Sequence, residues 1–298
     1  MAPLDRVPLD DCCSVTLHRT LRIPDDGGAY PLPPSLGAMS VFPSQDDGRY
    51  IVPMHRSEAV WLDFSAPYWR PYALKVGIGG IDAISGERFE AATLTAVPQD
   101  YVVIPDQPWL DGINAGDGFI RQFVAVPLGE ALTVEAQLTG AEEDGGLTLT
   151  LFAPRPGRFP DEPPAANVEF EGDAVMACES PMGLGAGGRM RQEVYADEYG
   201  LEAWEATPAA TARIDLVDAL AFEKLTGIVS PPPADAATYT AYGMPWFDLL
   251  APTRRDIAAA ERLAEVRSIA DLEGRREEPL PIPEDQVVRL LRLRALAR

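Results

Sequence analysis

Positive charge, imidazole and sulfur are all scarce in this chain. Lys75 and Lys224 are its lysines, His18 and His55 its histidines, and Cys12, Cys13 and Cys178 its cysteines. With 25 basic against 46 acidic residues the formal net charge is −21, which repels phosphate backbones and anionic headgroups over most of the surface. Nucleic acid is therefore not expected as a partner. No apolar run approaches the roughly 18 residues that span a bilayer, and the opening MAPLDRVPLDDCCSV holds no apolar stretch of leader length. A cytoplasmic location without a membrane span is expected. Three cysteines cannot all pair, and the neighbours Cys12 and Cys13 make an awkward disulfide framework, so reduced thiols are expected. Neither histidine lies in a motif, and no G-x-S-x-G elbow or cysteine-protease signature surrounds Cys178.

What is present is 298 residues of 46% apolar content, ample for a buried core. From Ser14 to Pro154 short apolar runs alternate with Gly, Pro and Asp clusters. Val15–Ile23, Tyr50–Pro53, Ala59–Phe64, Tyr72–Ile78, Tyr101–Ile104, Phe119–Val126, Leu132–Leu138 and Leu147–Phe152 are the expected strands. Their spacing predicts a mainly β fold, with a sandwich or jelly-roll-like domain over residues 14–154. In LTVEAQL, Leu132, Val134, Ala136 and Leu138 fall on one face, the pattern of a half-buried strand.

Residues 155–166 read as a proline-rich strap. Beyond it, 167–230 is expected to be a smaller α+β segment with strands Arg191–Tyr195 and Ala212–Val217 and a short helix Val217–Leu225. Residues 231–298 are expected to form an extended and helical C-terminal arm. Within it, Thr253 and Asp256 resemble a capping box, Ala259, Leu263, Val266 and Ala270 recur at helical spacing, and Gly274 follows. A last helix is expected in EDQVVRLLRLRALAR, which carries Arg289, Arg292, Arg294 and Arg298. Its Val287, Val288, Leu290, Leu291, Leu293 and Leu296 call for a covering surface, on the acidic body or on a neighbouring subunit.

Residues 105–122 hold the densest cluster of binding-type side chains: Asp106, Gln107, Trp109, Asp111, Asn114, Asp117, Arg121 and Gln122. Two apolar runs flank them, which places the loop at the end of a sheet. Trp109 offers an apolar face and a polar edge for a sugar or another flat polar ligand, or else plugs the core. Asp111, Asn114 and Asp117 supply the oxygen ligands of a calcium site without the alternation of an EF-hand, and Asx-turns explain them equally. Gly185, Gly187, Gly188 and Arg189, within MGLGAGGRMR, form a candidate anion cradle, although no P-loop ending follows. Likewise Gly77-Ile-Gly79-Gly80 reaches Asp82 where a dinucleotide fingerprint needs glycine, so a tight turn or bulge is expected at both glycine runs.

The segments HRTLRIPDDGGAYPLPPSLG, ALKVGIGGIDAISGE, QDYVVIPDQPWLDGINAGDGFIRQFVAVPLG and YGMPWFDLL resemble a family of bacterial proteins without an assigned activity. The resemblance spans most of the chain and implies one architecture, but it carries over no catalytic residue, cofactor or substrate. The sequence thus points to a non-enzymatic binding or assembly protein that presents loop 105–122 and a C-terminal helical arm. A carbohydrate or small-ligand module, calcium-assisted or not, is the alternative, and an enzyme of unknown class the third. The expected partners are a protein, a second copy of the chain, or a small polar ligand; no cofactor is expected.

Overall fold

The computed structural model describes residues 3–46, 48–116, 118–162, 181–250, 254–258 and 260–291. Asp117, Cys178, Thr253, Ala259 and the arm from Arg292 onward lie outside the described residues, as do positions 163–180 of the strap and the segment after it. The chain is mainly β, with 37% strand against 13% helix. Ten strands of three or more residues build one large, mostly antiparallel sheet: β1 (Ser14–Thr20), β2 (Arg49–Met54), β3 (Ala59–Ser65), β4 (Tyr72–Ile78), β5 (Val102–Ile104), β6 (Gly112–Gly116), β7 (Phe119–Pro127), β8 (Leu147–Phe152), β9 (Pro181–Arg191) and β10 (Ala210–Asp218). Hydrogen bonds join them in the order β1-β3-β7-β9-β10-β8-β4, with β2 parallel to β10, β5 on β4 and β6 on β7. β9 and β10 follow the proline-rich segment in sequence yet lie between β7 and β8. Strands on either side of residues 155–166 therefore share one sheet.

Side-chain alternation explains the pairing. In β1 and β3, Val15, Leu17, Val60 and Leu62 are fully buried while Thr16, His18, Trp61 and Asp63 stay partly exposed. Burying each such aliphatic side chain stabilises by about 1.5–3 kcal/mol. β4 is buried along its whole length, which puts one of the two lysines inside the protein. Lys75 Nζ donates to Asp100 Oδ2 at 2.7 Å, Glu90 O at 2.8 Å and Thr93 O at 2.8 Å, so all three of its donors are used. That single ammonium ties the excursion between β4 and β5 to the sheet.

Five expectations are corrected. The alternating stretch Leu132–Leu138 is not a strand: Val134–Thr139 is a helix, α1, capped by Thr133, whose Oγ1 accepts from Ala136 N at 3.0 Å, and closed by Gly140 at φ 77°. Val134 and Leu138 share a face at helical spacing as well as at strand spacing, and the two caps decide. The expected strand Arg191–Tyr195 is not one: Arg191 is the last residue of β9, and residues 192–194 belong to no strand. The glycine-rich run lies inside β9, where Gly187 and Gly188 form the expected bulge opposite Gln122, between the pairs Arg189–Arg121 and Ala186–Phe123. A Cβ on Gly185, Gly187 or Gly188 would meet Leu132 O at 2.8 Å, Val124 Cγ2 at 2.7 Å or Pro24 O at 2.3 Å, so these glycines permit close packing rather than cradle an anion. Arg189 lays its guanidinium over the Phe119 ring, 4.5 Å from the centroid.

α2 (Ala219–Thr226) is capped by Asp218 and followed by Gly227, and α3 (Ala236–Ala241) is capped by Asp235. The long helix expected after Thr253 is instead two single turns, α4 (Glu261–Ala264) and α5 (Ile269–Leu272). Ser268 starts the second by accepting from Asp271 N at 3.0 Å, while Asp256 accepts from Gly118 N and Val194 N, both at 2.8 Å, rather than capping a helix. Finally, Val287–Leu291, expected to be helical, is a strand, β12, paired in parallel with β11 (Trp246–Leu250). None of the described helices is long and apolar enough to cross a membrane.

Gly188→Ala is expected to lower the unfolding free energy by about 1–3 kcal/mol, because its Cβ has no room beside Pro24 O. Urea denaturation measures it, and an unchanged midpoint would show that this close approach is not required.

Candidate functional site

Among the described residues of 105–122, most polar side chains point into the protein. Gln107 is fully buried: its Nε2 donates to Trp109 O at 3.0 Å and Glu193 O at 3.3 Å, and its Oε1 accepts from Tyr195 N at 2.9 Å. Gln122, also fully buried, donates to Leu21 O at 2.8 Å and accepts from Ile23 N at 3.1 Å. Asn114 donates to Ile84 O at 3.1 Å and Ala258 O at 3.4 Å and accepts from Gly116 N at 3.0 Å. These amides satisfy backbone groups that no strand pairs with. Asp106 is ion-paired with Arg254 at 2.7 Å and accepts from the Tyr199 hydroxyl at 3.0 Å. Arg121 lies 3.7 Å from Asp25 rather than against a loop aspartate.

Asp111 is buried beside Gln192. Its carboxylate accepts from Gln192 Nε2 at 2.8 Å and from the Trp109 side chain, while Asp111 N donates to Gln192 Oε1 at 3.0 Å. Burial pushes its pKa up to about 7 in spite of those hydrogen bonds. Asp111 and Asn114, two of the three residues expected to form a calcium set, thus use their side-chain oxygens on the protein itself.

Trp109 differs from its neighbours in keeping part of its ring at the surface. It pairs in register with Asp63 of β3, and Asp63 pairs on its other side with Thr16 of β1. Two residues along, Trp61 pairs with His18. Alternation therefore brings Thr16, His18, Trp61, Asp63 and Trp109 to one outward face of three adjacent strands. The His18 and Trp61 rings stack at 4.2 Å with an interplanar angle of 15°, and Trp61 meets Trp109 edge-on at 6.1 Å and 61°. The Trp61 Nε1 is buried without a hydrogen bond, so stacking rather than its polar edge holds the ring. His18 Nδ1 lies 2.7 Å from Ser35 Oγ. Burial lowers the His18 pKa and Asp63 opposes the shift, which favours a neutral imidazole on the indole.

Trp109 stands out in the sequence; Trp61 and Asp63 do not, and His18 stands there only as one of two histidines outside any motif. The signal was the alternation in AVWLDFS and SVTLHRT, which sets Trp61, Asp63 and His18 on the faces opposite the core. Elsewhere, an open cleft of about 400 Å³ lies among Ile23, Ala236 and Leu280, with Arg22 of its wall already held by Glu277 at 2.6 Å. The chain matches no protein-family model, no curated protein and no solved structure.

Asp111 supplies a pH test. Its folded pKa of about 7 lies above the ordinary 3.8, so its contribution to stability is present in full below about pH 4 and is lost as pH rises through 7. Asp111→Asn keeps the acceptor for Gln192 without the charge. The stability of the parent relative to this variant should fall between pH 4 and pH 8, by on the order of 4 kcal/mol. A difference that stays flat across that window in thermal unfolding would contradict the assignment.

Proposed function

We propose that this is a non-enzymatic binding protein that holds a neutral, hydroxyl-rich ring, such as a glycan unit, on the outward face around Trp61 and Trp109. The observation that carries this reading is the edge-on indole pair with Asp63 in the same row. Indole faces suit the apolar C–H face of a sugar, and carboxylate, hydroxyl and imidazole groups suit its hydroxyls. The net charge of −21 disfavours anionic ligands on the same surface. Loop 105–122 contributes Trp109 to this face, and its buried amides hold that ring in place.

Titration with neutral oligomers of glucose and of N-acetylglucosamine, followed by tryptophan fluorescence, tests the reading. Saturable binding is expected, weakened at least about tenfold in Trp61→Ala through loss of a stacking surface. Absence of saturable binding to any of these oligomers would overturn it. So would a Trp109→Ala variant that binds normally but loses a core-like amount of stability, about 3–5 kcal/mol, since Trp109 would then be a plug.

A second reading, assembly through the C-terminal arm, is favoured by the edge of β12. β11 pairs with one side of this strand, and no strand among the described residues pairs with the other. Val288 and Leu290 on it are 41% and 37% exposed. An unpaired edge with apolar side chains suits strand addition by a second copy. Deleting residues 284–298 is expected to convert a dimer to a monomer in light scattering, and a monomeric mass for both forms would exclude this reading.

A further inference from the structure

The turn between Val7–Pro8 and β1 carries a ligand set that neither the sheet nor the aromatic face uses. Val7 pairs with Val15 and Pro8 with Ser14, which makes residues 9–13 a hairpin turn. Leu9 N donates to Cys13 O at 2.9 Å across it. Asp10 Oδ1 accepts from Cys12 N at 2.9 Å and Cys13 N at 2.6 Å, so the carboxylate folds back toward the two thiols. Consecutive residues of a strand point to opposite faces. Here Cys12 is still in the turn, and the two sulfurs lie side by side at 4.0 Å. The ligand atoms of Asp10, Cys12 and Cys13 all lie within 4.8 Å of one another, the one such cluster of three or more found among the described residues.

These distances fit a cation better than a disulfide. A disulfide needs sulfurs about 2.05 Å apart and Cα atoms usually at least about 4.4 Å apart, whereas trans neighbours have Cα atoms about 3.8 Å apart. In a tetrahedral zinc site with Zn–S bonds of about 2.3 Å, the S···S edge is about 3.8 Å. The observed 4.0 Å is within a few tenths of an ångström of that edge. Two sulfurs and a carboxylate oxygen suit borderline-soft divalent ions rather than calcium or magnesium, which take oxygen throughout. Cys13 is buried, but Cys12 and Asp10 are exposed, so an ion has an entry path. The Tyr72 hydroxyl, 3.2 Å from Cys12 Sγ, is placed to orient that sulfur from behind.

We propose that Asp10, Cys12 and Cys13 bind one divalent cation of the zinc class, with Tyr72 as a positioning residue. Bound there, the ion would cross-link the turn ahead of β1 and leave an outward position for water. Because the site is a hairpin turn on an edge strand, occupancy should change the stability of that edge without altering the sheet.

The full-length protein, reduced and chelator-treated, is titrated with cadmium and followed by its thiolate-to-metal charge-transfer absorption; zinc is titrated by calorimetry. One equivalent of each ion per chain is expected. The cadmium band should disappear in Cys12→Ser, an exposed position whose change does not threaten folding, and persist in Cys178→Ser. Tyr72→Phe is expected to weaken zinc by about tenfold while leaving the stoichiometry at one. No saturable band in the parent protein would overturn the proposal, as would a band that survives Cys12→Ser or vanishes with Cys178→Ser.

Discussion

Buried backbone groups must be paired, and in this protein side-chain amides do much of that pairing where the ladder stops. Gln99 donates to Tyr101 O at 2.7 Å and accepts from Asp197 N at 2.9 Å; Gln107 takes Tyr195 N and Glu193 O in the same manner. Together they hold the stretch after β9 against the ends of β5 without a strand forming there. Gln122 fixes residues 21–23, Gln192 fixes Asp111, and Asn114 reaches Ile84 and Ala258. A carboxamide presents a donor and an acceptor together, as a peptide group does, so each of these residues bridges two segments that could not otherwise lie side by side in a dry interior.

The same constraint explains why the richest polar loop in the sequence offers few free groups. A loop that crosses the end of a sheet must satisfy its own amides and those of its neighbours, and the residues suited to that task are also the residues of binding sites. Asp111 shows the tension most clearly: packed against Gln192 it is pushed towards neutrality, as befits a buried acid with no cation beside it. Lys75 shows the opposite solution, a buried charge with a full complement of acceptors. The loop brings part of the Trp109 ring to the surface, and there it joins residues from two strands distant in sequence.

The β character was legible because apolar alternation and turn residues repeat from Ser14 to Phe152, where β4 and β8 lie on the expected runs, and again at Ala212–Val217, which falls within β10. Misreadings arose where one pattern serves two structures. Val134 and Leu138 fit either period, and only Thr133 and Gly140 distinguish them. A run of glycines reads equally as an anion cradle, a turn or a bulge until the segment that presses on it is known, as Pro24 presses on Gly188. The arm from Val287 has apolar residues at both strand and helix spacing, and its partner, Trp246–Leu250, is far along the chain. Likewise Trp109 announced itself, whereas Trp61 and His18 become a site only through the register of β1 and β3. Non-local pairing is the information that a single sequence withholds.

The amide clasps also bear on how this protein tolerates change in length. Residues 192–197 form no strand beyond one isolated bridge between Tyr195 and Asp256, and by sequence they resemble the kind of connection that accepts insertions freely. Yet the glutamine side chains at 99 and 107 have fixed reach, and they grip Tyr195, Glu193 and Asp197 at set intervals. One added residue between Glu193 and Asp197 would leave at least one of these bonds unmade. A stretch that looks like a spacer is thus bound to a fixed count, and length variation in descendants of this chain should accumulate on either side of it, not within it.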